Sequence, residues 1–474
     1  MTGKRVAIIG GGITGLATAH RLISLDPQVE VTIFESSDRL GGIIQTVQQA
    51  GFLIELGPDS FITNKPGGMQ LCEEVGFSDQ LIATDETYRR SLVLRKGRPL
   101  PVPDGFMLMA PANPVAIMKT PILSARGKFR LLREAIVAAK TTDEDESLAT
   151  FVRRRFGQEA LERLVQPLIG GIYTANPEKL SLKATLPRFL DMEREHGSVI
   201  RATLAEQERK SEPKQAASGS GARYGLFATP TNGLTSLVDA VEQNLQASGR
   251  VTINTNCAVT SLPRQEGEWH VRTADSGEAK FGAVVVTLPC RKAAELLDAS
   301  AAELSSTLRE YEYASSAIVV SGHQLSDFSH PLDAFGLVIP AIENRDILAV
   351  SFTSRKFVGR VPDGAVLLRT FVGGAMQPDL LKLSDDEIVS LVQEELSSIL
   401  GMKSAPMFHR IVRYNNAMPQ YHVGHLDLVD RTEAAVRKLQ GLELAGNAFR
   451  GVGIPDSIAS GRLAAEQMVT ELQR

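Results

Sequence analysis

The stretch Arg5-Val-Ala-Ile-Ile-Gly-Gly-Gly-Ile-Thr-Gly15 decides the fold. Arg5 to Ile9 is a short, branched, apolar run of the kind found in buried parallel strands. A glycine loop follows at once, and Leu16 to Leu25 has the pattern of a helix. In such a strand, turn and helix, the first glycine permits a tight turn, Gly12 lets the backbone approach a pyrophosphate, and Gly15 lets helix and strand pack. The helix N-terminus would then face phosphates.

An acidic residue stands where a dinucleotide site needs one. A second strand, Val29 to Phe34, ends at Glu35, twenty positions after Gly15, where a carboxylate accepts hydrogen bonds from a ribose diol. A glycine triplet alone is weak support for a nucleotide site. The flanking strand, the helix and the acid together favour a nucleotide over a structural turn.

The residues after this acid distinguish between NAD and FAD. Ser37-Asp-Arg-Leu-Gly-Gly42 resembles the arginine-glycine-glycine segment of the amine-oxidase-like flavoproteins, in which it lies over the FAD pyrophosphate. The resemblance implies FAD. Arg39 would supply charge to the phosphates, while Gly41 and Gly42 admit close backbone approach. A solvated loop cation is the alternative for Arg39.

Composition excludes several classes of function. The 474 residues carry a formal charge of -4 with mixed signs, so the broad basic field of a nucleic-acid-binding protein is absent. Cys72, Cys257 and Cys290 are an odd number without a C-x-x-C pair, and the histidines show no metal-ligand spacing. We therefore expect no disulfide framework and no metal. Without a signal peptide or an apolar run of about 18 residues, the expected compartment is reducing cytoplasm, and any membrane contact is peripheral.

The pattern along the chain predicts an α/β fold with a Rossmann-type FAD-binding domain, a β-rich substrate domain and a helical insertion. The FAD-binding parts are 1–70, 226–300 and 411–474; the mostly helical insertion, with substrate-side segments, is 71–225; the β-rich domain is 301–410. Strand-like pieces at 251–259, 269–273 and 283–288 are expected to rejoin the nucleotide sheet. Runs between 314 and 374 predict a separate sheet. Residues 209–225, nearly without apolar side chains, predict a mobile surface loop.

The C-terminal segment gives a more specific resemblance. Leu444 to Gly461 is a strand, a glycine-rich turn and a helix start, which would offer backbone N–H groups to a second part of the cofactor. It resembles the closing motif of the protoporphyrinogen oxidase family. Gly57-Pro-Asp-Ser-Phe61, Pro167 to Tyr173, Glu178 to Leu182 and Met418 to His425 match the same family, above all the bacterial branch that acts on coproporphyrinogen. The resemblance covers nearly the whole chain.

This resemblance implies a set of FAD contacts. The implied residues are Gly10, Gly11, Gly12, Ile13, Thr14, Gly15, Glu35, Ser36, Arg39, Gly42, Gly57, Pro58, Asp59, Ser60, Val259, Val452, Gly453 and Ile454. Val259 would act through its backbone, against adenine. Leu426 stands where some members have tryptophan, which puts a flavin contact there in doubt.

The resemblance also implies a substrate site. A porphyrinogen is a largely apolar macrocycle with acidic propionates, so it needs a flat apolar cleft with a cation at its edge. Gly171, Ile172 and Tyr173 would line one side. The other face would come from the second sheet, and its candidate residues are Phe335, Leu337, Phe371 and Val372. For each of them, ordinary core packing is the alternative. Arg90 would bind a propionate; adjacent Arg89 and a solvated surface cation are the alternatives.

The implied function is oxidation of coproporphyrinogen III to coproporphyrin III in haem synthesis, with oxygen as acceptor and hydrogen peroxide as product. Protoporphyrinogen IX oxidation, an amine-oxidase-like or carotenoid-desaturase-like flavoenzyme, and a non-catalytic flavin or porphyrin carrier are the alternatives. No acid-base residue is identified. Expected partners are the porphyrinogen, oxygen and other enzymes of haem synthesis.

One segment raises the question of membrane contact. Gly105 to Met109 is apolar and precedes a basic stretch in which Phe129, Leu132 and Ile136 are interspersed. If exposed, this face would rest on the inner surface of an anionic membrane. The favoured interpretation is an amphipathic helix packed on the insertion, with its cations solvated. These cations are Lys119, Arg126, Lys128, Arg130 and Arg133.

Overall fold

The structure is a computed structural model that describes residues 4–211, 226–275 and 277–473. From residue 212 onward, the predicted surface loop lies outside the described residues. The strands are β1 Arg5–Ile9, β2 Glu30–Phe34, β3 Thr46–Gln49, β4 Phe52–Glu55, β5 Phe61–Ile62, β6 Leu81–Ala83, β7 Ser91–Arg95, β8 Arg98–Pro101, β9 Phe106–Met107, β10 Ala110–Pro111, β11 Phe227–Pro230, β12 Val251–Asn254, β13 Val259–Ser261, β14 Arg264–Gln265, β15 Glu268–Thr273, β16 Glu278–Phe281, β17 Ala283–Val286, β18 Tyr313–Gln324, β19 Gly336–Val338, β20 Ala349–Phe352, β21 Ala365–Gly373, β22 Phe408–Pro419 and β23 Leu442–Leu444. The helices are α1 Ile13–Leu25, α2 Pro66–Glu74, α3 Pro114–Lys119, α4 Ala125–Leu132, α5 Leu148–Arg155, α6 Gln158–Ala160, α7 Gln166–Tyr173, α8 Leu182–Thr185, α9 Pro187–His196, α10 Val199–Ser211, α11 Thr235–Ala247, α12 Cys290–Leu297, α13 Ala302–Leu308, α14 Thr353–Lys356, α15 Asp385–Leu400, α16 His425–Val436 and α17 Ile454–Leu472.

A parallel sheet organises the nucleotide side of the molecule. Its strand order is β12-β2-β1-β17-β23, with every neighbouring pair parallel. Helices α1, α11 and α17 pack on one face, and α12, α13 and α16 on the other. Burial on both faces explains the continuous apolar runs of β1 and β17. The predicted Rossmann-type α/β fold is confirmed.

One strand expected in this sheet lies elsewhere. β15 forms an antiparallel sheet with β13, β14 and β16 instead of joining β12 and β17. The connection before it is two residues long, Glu266 and Gly267, both with positive φ. Such a turn makes a hairpin, and a parallel neighbour would require a long crossover. The prediction for 269–273 was therefore wrong.

The predicted second sheet is confirmed and is larger than expected. Its order is β22-β18-β21-β20-β19-β7-β8, so it recruits two strands from the 71–225 segment and a long strand that crosses residue 410. Side chains alternate along β21. Val366, Leu368 and Val372 pack against α15, whereas Leu367 packs towards β3 and β4. The face of the sheet that carries Leu367 is turned towards the nucleotide side of the molecule.

The helical insertion has its own apolar core, built mainly from α3 to α10. Arg155 and Glu134 form a fully buried ion pair inside it. The expected packing of the amphipathic segment on the insertion was wrong for two of its apolar residues. Phe129 and Ile136 are 66% and 72% exposed, because α4 turns Gly127 and Leu131 inward instead.

Candidate functional site

The glycine loop has the geometry that a bound dinucleotide requires. Gly10 adopts a φ of +110°, which side chains rarely tolerate. A Cβ on Gly15 would overlap the carbonyl oxygen of Gly10, so strand and helix meet directly there. A Cβ on Gly12 would meet only the Cα of Gly42, at 4.0 Å. The space in front of Gly12, at the N-terminus of α1, is therefore a cradle that fits a pyrophosphate.

The second wall of this groove is also made of glycine backbone. Gly12 and Gly41 form an isolated parallel bridge, and Gly41 and Gly42 have φ values of +97° and +60°. A Cβ on Gly57 would overlap the carbonyl oxygen of Ile43. The glycine loop, the Gly41–Gly42 turn and Gly57 are thus packed closely, backbone against backbone.

Glu35 lies at the end of β2, as predicted, but its carboxylate is already engaged. Oε2 accepts a hydrogen bond of 2.7 Å from the Gly11 N–H, and Oε1 accepts bonds of 2.8 Å from the N–H and hydroxyl of Ser37. Exposed Ser36 lies at its edge, with its hydroxyl 3.3 Å from Oε1. A carboxylate oxygen has about two acceptor sites, so Oε2 retains one for a ribose hydroxyl.

Arg39 is bonded to its own loop. Its guanidinium donates to the carbonyl oxygens of Leu40, Gly42 and Ile44 at 3.1, 2.7 and 2.9 Å. These bonds fold the side chain back over its own loop, and the charge that Arg39 would supply to the phosphates stays a prediction. Arg39 holds Gly42 in place opposite Gly12.

The residues between β12 and β13 pack against the end of β2. The N–H of Cys257 donates to the carbonyl oxygen of Glu35 at 2.8 Å. Val259 follows two residues later, at the start of β13. The adenine contact of Val259 stays a prediction. Gly453 is the N-cap of α17, whose first residue is Ile454.

The turn before α17 is held by two aromatic residues to which the sequence assigned no function. The Tyr421 hydroxyl donates to the carbonyl oxygen of Asn447 at 2.6 Å and accepts from the Gly451 N–H at 2.8 Å. The His425 ring stacks on Tyr421, with centroids 3.9 Å apart, and lies 2.8 Å from the Phe449 carbonyl oxygen. Burial lowers the pKa of His425. Both residues lie in the segment from Met418 to His425, and its resemblance to the family was the sequence signal that could have identified them.

Asp59 and Ser60 face charged side chains of the second sheet domain. Lys356 Nζ lies 3.0 Å from Asp59 Oδ1 and 3.0 Å from Ser60 Oγ. Arg369 Nη1 lies 3.3 Å from Asp59 Oδ2, and its Nη2 donates to the Gly57 carbonyl oxygen. Burial acts to raise the pKa of Asp59, but Lys356 and Arg369 outweigh it and hold the pKa well below its usual range. The sequence analysis did not identify Arg369 as a site residue. The signal that could have identified it is a single cation in the otherwise mostly apolar run of β21.

The predicted substrate residues lie at the end of α7 and on the second sheet. Gly171 faces β19, with its Cβ position 3.9 Å from Val338 Cγ1, and Ile172 is 46% exposed. The Tyr173 hydroxyl donates to the Thr185 carbonyl oxygen at 3.3 Å, and burial raises the pKa of Tyr173 to about 12. Phe371 shares the inner face of β21, and the Arg369 guanidinium lies 5.6 Å from its ring centroid. Only Val338 lies within 4 Å of the Cβ position of Gly171, which is consistent with the expected site.

Two of the weaker substrate candidates were wrong. Leu337 and Val372 are buried in the core between the second sheet and α15, because alternation along their strands points them away from the cleft. Phe335 is half-buried and its main chain bonds to Arg90 and Phe352.

Arg90 is accessible but has a partner. Its side chain is 51% exposed and forms an ion pair with Asp333, and Nε donates to the Asp333 carbonyl oxygen at 2.8 Å. Arg89 beside it is exposed. Propionate binding by Arg90 stays a prediction, in which a substrate carboxylate would compete with Asp333.

Across residues 4–211, 226–275 and 277–473, no group of three or more His, Cys, Asp or Glu side chains is arranged to hold a metal ion. None of the helices within these ranges has the length and apolar character needed to cross a membrane.

Comparison with known proteins defines the class. The profile of the family described as flavin containing amine oxidoreductase matches residues 13–469, so the chain belongs to that family. A coproporphyrinogen III oxidase of Staphylococcus aureus is 33% identical, over 99% of this chain and 100% of its own. One from Bacillus subtilis is also 33% identical, over 99% and 98% of the two chains. The protein is an FAD-dependent oxidoreductase of the porphyrinogen oxidase family.

Solved structures agree with this assignment. The crystal structure of a putative protoporphyrinogen oxidase from Exiguobacterium sp. 255-15 is similar, with a TM-score of 0.87, 28% identity and full coverage of both chains. A cyclohexylamine oxidase from Brevibacterium oxydans shares the fold, with a TM-score of 0.69 at 15% identity. The two-domain α/β architecture is therefore that of the amine oxidase structures.

Proposed function

We propose that this protein oxidises coproporphyrinogen III to coproporphyrin III, with oxygen as electron acceptor and hydrogen peroxide as product. The observation that carries the proposal is similarity over the full length. Three coproporphyrinogen III oxidases are 33% identical to this chain, whereas five protoporphyrinogen oxidases are 26–30% identical. Coproporphyrinogen also carries more propionates, so it gains more from cations around the cleft.

FAD, when bound, would supply the acceptor for a hydride and the route for the electrons to oxygen. The N–H groups at the start of α1 bind the pyrophosphate in front of Gly12. Glu35 accepts a ribose hydroxyl at the remaining site of Oε2. The N-terminus of α17, from Val452 to Ile454, contacts the flavin and ribityl end, and Tyr421 positions the turn that precedes it. The chain therefore orients FAD along a groove lined by backbone.

The macrocycle lies in the cleft between the end of α7 and the inner face of the second sheet. Gly171 leaves room for a flat ring, while Ile172, Tyr173 and Phe371 provide apolar contact. Arg90 binds one propionate at the mouth, in place of Asp333. These residues hold the substrate against FAD and limit the access of water, and positioning is their contribution to catalysis.

The test is anaerobic reduction of the purified flavoprotein by each porphyrinogen separately, followed by addition of oxygen. We expect coproporphyrinogen III to bleach the flavin absorbance faster than protoporphyrinogen IX, and oxygen to restore it with release of peroxide. Faster bleaching by protoporphyrinogen IX would assign the protein to that reaction instead. Porphyrin or flavin binding without turnover would indicate a carrier.

The cellular setting follows from the same proposal. We propose that the protein works in the cytoplasm, near the other enzymes of haem synthesis. Exposed Phe129 and Ile136 lie beside Lys128 and Arg133 on the insertion, and such a surface suits peripheral contact with an anionic membrane.

A further inference from the structure

A compact charged cluster beside the cofactor groove has no function in the reaction as outlined above. It consists of Asp59 on the nucleotide side and of Lys356 and Arg369 on the second sheet domain. Lys356 also lies 5.0 Å from the ring centroid of Phe227. Arg369 is only 3% exposed. The cluster is therefore largely screened from water, and its charges act at short range through protein.

The cluster carries more positive than negative charge. Asp59 is the one carboxylate that contacts either Lys356 or Arg369 among the ion pairs of the described residues. Behind it lie buried Arg360 and Glu55, and Arg360 interacts electrostatically with both Glu55 and Asp59, so the five groups are three cations and two carboxylates. One positive charge is left over. Because burying an uncompensated charge is costly, a negative partner is expected nearby in the working protein.

Further geometry indicates where that partner lies. Arg369 Nη2 donates to the Gly57 carbonyl oxygen, and the Nε atom of the same guanidinium is buried without a hydrogen-bond partner. Gly57 to Ser60 is the segment that we assign to FAD. The side chains of Lys356 and Arg369 are only 15% and 4% exposed, so their excess charge acts on a group bound at that segment through its field and not by direct contact.

We propose that Lys356 and Arg369, held in place by Asp59, favour the reduced form of the bound FAD. The inference rests on the proposed function, because it needs FAD beside Gly57 to Ser60. Accepting a hydride adds negative charge to the cofactor, and a nearby buried positive charge stabilises that charge. Lys356 and Arg369 are positioning residues: they act on the cofactor through the field and touch no reacting atom.

The experiment measures the reduction potential of FAD in the purified holoprotein without substrate, by equilibration with a reference dye. We expect Lys356→Gln to lower the equilibrium constant for FAD reduction about tenfold, which is about 30 mV for a two-electron couple. Asp59→Asn should move the potential in the opposite direction, because it leaves both cations uncompensated. The matched control is Lys382→Gln, whose lysine side chain is 81% exposed and pairs with Asp379.

Opposite shifts in the two variants, with none in the control, would support the proposal. Potentials of Lys356→Gln and Asp59→Asn that are unchanged, or that shift in the same direction, would overturn it. Arg369→Lys, which keeps the charge, should retain most of the potential, and Arg369→Gln should lower it. If the buried Arg369 variants do not fold, the comparison of Lys356→Gln with Asp59→Asn still tests the proposal. Protein that binds no FAD at all would refute the proposed function, and the inference with it.

Discussion

Gly12 gives the sharpest test of the cofactor groove. A Cβ added there meets only the Cα of Gly42, at 4.0 Å, and the residue has a φ of -69°, which any side chain tolerates. Gly12→Ala should therefore leave the stability of the flavin-free protein nearly unchanged. The methyl group would project into the space that we assign to the pyrophosphate. FAD affinity should fall while the fold persists.

The magnitude follows from the bonds at risk. A backbone hydrogen bond to a charged group contributes about 1.5–3 kcal/mol, so displacing one phosphate oxygen should raise the Kd for FAD by roughly 10- to 100-fold. The assay is fluorescence titration of flavin-free protein with FAD, with thermal unfolding measured on the same samples. An unchanged Kd for Gly12→Ala, or for the bulkier Gly12→Val, would refute the placement of the pyrophosphate.

Gly15→Ala is the matched control, because Gly15 is expected to be needed for packing and Gly12 for FAD binding. A Cβ at Gly15 would overlap the carbonyl oxygen of Gly10, and neither the strand nor the helix can move freely. Overpacking of this sort destabilises by about 1–3 kcal/mol, so this variant should lose thermal stability before any ligand is added.

Three further outcomes are expected. Arg90→Ala should raise the KM for porphyrinogen about tenfold without changing FAD affinity, and Asp333→Asn should not weaken substrate binding; an unchanged KM would direct attention to Arg89. The protein should sediment with anionic vesicles at low salt and less at high salt, and Phe129→Ser should abolish sedimentation; no pelleting at either salt rejects membrane contact. Burial, with neighbouring carboxylates, raises the pKa of Glu443 from 4.5 to about 7, so its ionisation should destabilise the fold as the pH rises through that range. Glu443→Gln should thus be more stable than the unaltered protein by on the order of 2 kcal/mol at pH 8 and little changed at pH 5, by urea unfolding; an equal effect at both pH values would contradict this.

Local sequence was sufficient where a function depends on neighbouring residues along the chain. The strand, turn and helix from Arg5 onward, and the acid at the end of β2, were predictable because close spacing in sequence places them together in space. The positive φ of Gly10 and the packing at Gly15 agree with the functions predicted for them. The second sheet was also predictable from its β-rich runs.

Tertiary structure decided every feature that depends on which face of a strand a residue occupies, or on segments distant in the chain. Leu337 and Val372 look like good cleft residues in sequence, yet strand alternation places them in the core against α15. Glu35 carries the predicted carboxylate, but folding gives it the N–H of Gly11, 24 residues away in the chain, as a partner. The contact of Arg369 with Asp59 joins residues 310 positions apart in the chain, since only the meeting of the two sheet domains brings these charges together.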